Sequence, residues 1–301
     1  MQTLPVSKRI ALKNILFLTD YSEPSVTALP FAAMIARAYG AKVTALHVLV
    51  PSVYTTYMTP EMVASLLDAE ADLAKTEMSH VEAGLMGLPR ETMIERNIGV
   101  WPALSKRLEE DDIDLIVMGT HGRTGLNKAI FGSSAEEVFR RANVPVLTIG
   151  PHVRTGGHNG GRFQCVLFAT DFNAVSNTAA AYAASLAQEN QSRLILLHVL
   201  PAPKPGKANK TAELSVAEAL HRVENLLPPD AELWCRPEPM VEHGEPGAQI
   251  LAMADRCGAD LIVLGVRGMD MLTKIATRVE RATAYEVAAH AHCPVLTVRG
   301  S

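Results

Sequence analysis

The chain has 301 residues, of which 48% are hydrophobic and 20% charged, with a formal net charge of −4. That apolar content is enough for two cores of about 150 residues each, and the slightly acidic balance excludes a broad nucleic-acid footprint, which needs a basic face. No apolar run reaches the roughly 20 residues that span a bilayer. Met1–Val6 lacks the basic-then-apolar pattern of a secretory leader. The four cysteines (165, 235, 257 and 293) are far apart with no C-x-x-C spacing, so no disulfide scaffold is expected, and a cytoplasmic location is.

In chain order, Ile15–Leu18 reads as a buried strand. Ser22-Glu-Pro24-Ser reads as a helix start, with Ser22 as N-cap and proline in the first turn. That helix continues through Phe31–Ala36 and stops near Gly40. Val43–Val48 is a second strand, and 51–60 is a loop. Glu61 to about Gly84 has a helical period, and Thr92–Arg96 is a third strand. A helix with Pro102 near its first position follows. Leu115–Met118 and Val146–Ile149 are the fourth and fifth strands, with a helix from Ser133 to about Arg141 between them. Alternating strands and helices with continuous apolar strands predict an α/β fold, a parallel sheet covered on both faces and doubly wound. Ligands in such folds bind at the carboxyl ends of strands, beside the switch in strand order. Asp20 and Gly119 each close a strand at that edge.

The segment from Gly119 to Ser133 carries a G-x2-G-x9-G-S pattern through Gly119, Gly122, Gly132 and Ser133. It follows a buried strand and opens a helix. Amide groups left unpaired at a helix start, together with the helix dipole, favour an anion such as phosphate. Glycines let the backbone approach it closely.

The chain also repeats itself. Asn14–Asp20 returns as Cys165–Asp171, Leu46–Val48 as Leu197–Val199, Asp114–Gly119 as Asp260–Gly265, and Pro145–Ile149 as Pro294–Val298. A period of about 150 residues is far too long for a solenoid and matches one ordinary domain. The expected organisation is a first domain over 1–151, a glycine-rich linker over 152–161, and a second domain over 162–301.

These features resemble the universal stress protein family, with two such five-stranded, Rossmann-like domains in tandem over nearly the whole chain. The resemblance implies ATP as the ligand, with or without magnesium, in a stress response. It implies that Asp20 contacts the nucleoside, that Val48 meets adenine through its backbone, and that Met118 and Gly119 line the ribose and phosphate side. Gly122, Arg123, Gly132, Ser133 and Ser134 would surround the phosphates. In the second half Gly265 and Gly268 preserve the first two glycines, but Arg278, Val279 and Glu280 stand where Gly-Ser-Ser is expected. One competent site, in the first domain, is therefore expected.

His290-Ala-His292-Cys293 has metal-ligand residue types but falls short of a four-ligand zinc site. His47 and His198, on apolar strands in both copies, read as structural. No P-loop, no carboxylate pair beside the glycine loop and no nucleophile elbow is present. The leading reading is thus a nucleotide-binding protein in which ATP regulates, with slow hydrolysis left open. The alternative is a non-catalytic interaction module for protein partners or apolar small molecules. The family resemblance also implies pairing of the last strands of the two domains within one chain, and leaves a further homodimer open.

Overall fold

The computed structural model describes residues 10–51, 58–120, 131–153, 161–202, 214–227, 236–267 and 276–299. The fold divides into two compact units, Ala11–Pro151 and His152–Ser301.

The amino-terminal unit runs β1 (Asn14–Leu18), α1 (Glu23–Tyr39), β2 (Lys42–Leu49), α2 (Pro60–Gly84), β3 (Arg90–Arg96), α3 (Val100–Glu110), β4 (Leu115–Gly119), α4 (Ser133–Arg141) and β5 (Val146–Ile149). Its strands lie in the order β3-β2-β1-β4-β5, all parallel. The order reverses between β1 and β4, where Leu18 pairs with Met118. The strand centres are fully buried, Ile15, Leu16, Phe17, Ile116 and Val117 among them. Each such side chain contributes about 1.5–3 kcal/mol by leaving water. α1 ends as its sequence suggests: Gly40 takes φ +67° and its amide bonds the Ala36 carbonyl. α3 begins at Val100, capped by Gly99, so Pro102 sits inside the first turn, where its missing N–H costs nothing, rather than at the opening position.

The carboxy-terminal unit runs β6 (Cys165–Thr170), α5 (Ala174–Asn190), β7 (Arg193–Leu200), α6 (Val216–Glu224), β8 (Arg236–His243), α7 (Pro246–Cys257), β9 (Leu261–Val266), α8 (Ala276–His290) and β10 (Val295–Arg299). Its order is β8-β7-β6-β9-β10, again all parallel, with the reversal between β6 and β9.

The same device starts both sheets. The Asp114 carboxylate accepts from the amides of Lys13 (2.7 Å) and Asn14 (2.9 Å). Asp260 does the same for Gln164 (2.7 Å) and Cys165 (3.1 Å). A short acidic side chain before the fourth strand of each unit thereby satisfies amides at the head of the first strand.

Candidate functional site

In each unit the chain leaves the first strand through the same turn. Thr19 is buried, and its hydroxyl lies 2.7 Å from that of buried Ser25 and accepts from the Tyr21 amide. Tyr21 has φ +62° and Phe172, its counterpart, φ +61°. An aromatic residue in the left-handed region is an outlier held by its surroundings, and such strain gathers at sites. Tyr21 is held by its hydroxyl, which donates to the Ala74 carbonyl (3.0 Å), and by packing on His47, ring centres 4.2 Å apart. Phe172 packs on His198 at 4.3 Å and lies beneath the Arg222 guanidinium at 4.5 Å.

The two strand histidines find backbone partners. His47 Nδ1 lies 2.8 Å from the Thr19 carbonyl and His198 Nδ1 2.7 Å from that of Thr170. Burial pushes the His198 pKa down, against the carbonyl bond, which pulls it up. Nδ1 carrying a proton donates to the carbonyl in each case. This geometry agrees with a structural role.

Asp20 is half-buried just past β1, and its Oδ1 accepts from the amide (3.0 Å) and the hydroxyl (2.5 Å) of Ser22. Ser22 occupies the N-cap of α1, but its side chain makes no capping bond; the hydroxyl turns back to Asp20 instead. Val48 sits in β2 just past the last β1 contact, in which the Thr19 amide bonds the Leu46 carbonyl. Residues of a parallel strand face alternate neighbours. The Val48 amide and carbonyl therefore point toward the β1 side, as those of Leu46 do, but beyond the end of β1. Met118 is buried in β4 and Gly119 ends that strand.

Gly119 also has a purely architectural reason to be glycine. A Cβ there would stand 2.9 Å from both the Pro24 carbonyl carbon and the Ser25 amide nitrogen. Gly265 faces Ser176 in the same way at 3.0 Å.

Gly132 is the N-cap of α4, and its amide bonds the Thr120 carbonyl at 2.9 Å. That bond ties the helix start to the end of β4. Ser133 and Ser134 are the first two helical residues, both exposed, and the N-cap, being glycine, brings no side chain to cap this helix start. Gly122 and Arg123 lie outside the described residues, as do Gly268 and the side chains of Arg278 and Glu280. The loop expected at Lys204–Lys210 lies outside them too.

At the corresponding edge of the carboxy-terminal unit lies a cavity of about 370 Å³. Leu197, Val199, Ile250, Leu264 and Ala284 give it apolar walls. Asp171, His198 and Thr283 supply polar groups. Val199 follows from the repeat as the counterpart of Val48. Ile250 and Thr283 carry no local signal and reach the site only through helix packing. His292 Nδ1 meets Asp255 Oδ1 at 2.9 Å, and among the described residues no three metal-ligating side chains converge. No helix among the described residues is long and apolar enough to cross a membrane.

A family model described as the universal stress protein family matches residues 11–150 and again 162–299. A universal stress protein of Methanocaldococcus jannaschii is 32% identical over 149 residues, which cover 46% of this chain and 81% of the relative. Another, of Mycolicibacterium smegmatis, is 25% identical over 298 residues, covering 95% of this chain and 97% of its own. Among solved structures, a universal stress protein from Archaeoglobus fulgidus superposes with a TM-score of 0.66 at 21% identity, covering 95% of this chain and 96% of that one. At that identity the likeness speaks to the fold.

Proposed function

The chain belongs to the universal stress protein family, and we propose that its amino-terminal unit binds ATP as a regulatory ligand. The observation that carries this reading is the start of α4. A helix whose N-cap is a glycine, with no side chain of its own to cap it, opens at the carboxyl edge of the sheet, tied by Gly132 to the end of β4. Its first amides and its dipole suit an anion. The neighbouring switch between β1 and β4 offers the rest of a nucleotide site. The backbone of Val48 faces adenine, the Asp20 carboxylate takes ribose hydroxyls, and Met118 and Gly119 form the floor. Gly122, Gly132, Ser133 and Ser134 surround the phosphates, and Arg123 pairs with their oxygens.

In the test, saturating ATP raises the stability of the purified chain. The gain is about 2.7 kcal/mol at a hundredfold excess over Kd. Gly132→Arg, which puts a long side chain at the phosphate end, abolishes the gain. A wild-type chain that shows neither heat of binding nor stabilisation with ATP would defeat the proposal. Rapid turnover lost in Gly132→Arg would replace regulation with catalysis.

A further inference from the structure

The two units differ most where phosphate is expected. α4 has 9 residues and α8 has 15. Each ends shortly before its Pro-Val-Leu-Thr strand, at Arg141 and His290, so the additional length of α8 lies at its amino end. Aligned from the shared glycines, the counterparts of Ser133 and Ser134 are Val279 and Glu280. Aligned from the shared strands, they are Ala282 and Thr283. By either alignment they fall inside α8. Amides beyond the first turn of a helix are spent on carbonyls four residues back and no longer face outward. At the positions equivalent to Ser133 and Ser134 the carboxy-terminal unit has thus spent the donors that its twin leaves open, whatever side chains stand there, and the first-turn amides of α8 fall earlier in the chain, from Ala276.

The rest of the crevice is kept. Its cavity of about 370 Å³ lies within the range of small-molecule sites, about 300–1,000 Å³, and has the apolar walls and few polar groups typical of them. The sheet register repeats: β6 pairs with β7 up to Thr170 and His198. The Val199 amide and carbonyl then face the cavity past the end of β6, a donor and an acceptor side by side. Asp171 stands at its mouth. Asp171 Oδ1 accepts from the Asn173 amide (3.1 Å) and the Ser176 hydroxyl (2.7 Å), while Oδ2 accepts from Asn173 Nδ2 (2.7 Å). A carboxylate oxygen has two acceptor sites, so Oδ2 retains room for a ligand hydroxyl.

We propose that this cavity binds an uncharged flat ring compound bearing hydroxyl groups, a nucleoside without phosphates, and rejects the triphosphate. The ring lies between Ile250, Leu264 and Ala284, its edge pairs with the Val199 backbone, and a hydroxyl donates to Asp171. The proposal stands whether or not the amino-terminal unit holds ATP.

The probe is adenosine, titrated into the full chain labelled with ¹³C at isoleucine δ-methyls, with Ile250 as reporter. Adenosine shifts the Ile250 methyl saturably, in wild type and in Gly132→Arg alike. ATP shifts it at no less than tenfold higher concentration. Asp171→Asn keeps the cavity but weakens adenosine severalfold, and Ala284→Leu, which fills the cavity, abolishes the response. Should Ala284→Leu fail to fold, the comparison of adenosine with ATP on wild type decides alone. An Ile250 methyl unmoved by millimolar adenosine overturns the proposal, as does one moved equally by adenosine and ATP. Loss of ATP binding heat with an intact Ile250 response, or the reverse, separates this site from the amino-terminal one.

Discussion

Gly119 lies against the first turn of α1 so tightly that a Cβ on it would stand 2.9 Å from the Pro24 carbonyl carbon. The obstacle is backbone, which cannot swing aside. Gly119→Ala therefore destabilises the ligand-free protein by about 1–3 kcal/mol, the cost of overpacking. Gly265→Ala, facing Ser176 at 3.0 Å, behaves alike in the other unit. Urea denaturation without nucleotide measures both. Unchanged stability in Gly119→Ala would leave a ligand as the glycine's sole justification.

Asp114 holds the amides of Lys13 and Asn14. Removing the carboxylate in Asp114→Ala leaves both without that partner, at a cost of roughly 1–3 kcal/mol. Asp114→Asn keeps one acceptor oxygen and loses less. Amide exchange at Asn14 should quicken in the alanine variant. A protection factor equal to wild type would refute this stitching role.

Gly247, the second residue of α7, lies against the Glu286 carboxylate, and a Cβ on it would meet Glu286 Oε2. The carboxylate thus lies at a helix N-terminus, a placement worth about 0.3–1 kcal/mol. Alanine at 247 offers up to about 1 kcal/mol of helix propensity but displaces the carboxylate. Gly247→Ala is accordingly neutral or destabilising in the wild type and stabilising once Glu286 is also alanine. A double-mutant cycle reads the coupling, and strict additivity would contradict it.

Cys257 and Cys165 form a thiol pair in which Cys257 titrates first. A hydrogen bond from Cys165 is the largest cause, pulling Cys257 down to about 7 against the opposing effect of burial. The same partner, together with burial, holds the Cys165 proton in place. Alkylation of Cys257 by iodoacetamide should rise with a midpoint near pH 7. Cys165→Ala should move that midpoint up toward the ordinary thiol value of about 8.5. Because the folded Cys257 pKa lies below the unfolded one, its thiolate adds stability as pH rises from about 7 toward 8.5 and loses it as pH falls back through about 7. Above about 8.5 the proton held on Cys165 offsets that gain, since the unfolded chain then ionises both thiols. Peptide mapping of labelled protein checks it, and a midpoint that ignores Cys165 would break the pairing.

Much of the fold was legible because its signals are local. Buried parallel strands write themselves as apolar runs such as Leu115–Met118, and Gly40 marks the end of α1 by its left-handed φ. Duplication made each signal visible twice. Pro237 and Pro239 show the complementary case: in an edge strand their missing amides face away from β7, since it is the Gly244 amide, an even number of residues from Glu238 and Met240, that reaches the Leu200 carbonyl. The site was legible only in part. As candidates, Asp20 and Gly132 stand out by the repeat and the glycine spacing and Val48 only through the family resemblance, but that Ser22 turns back to Asp20 instead of capping α1 is a matter of side-chain torsion.

The order of residues by itself determined the alternation of strands and helices, the two copies and the glycine spacing, because each depends on neighbours a few positions apart. Only the tertiary structure decided that Gly119 must make room for α1, that α8 begins ahead of the positions equivalent to Ser133 and Ser134, and that Ile250 and Thr283 share a cavity with Asp171. Those facts arise where segments far apart in the chain meet at close-packed distances, and packing of that kind leaves no periodic mark on either segment alone.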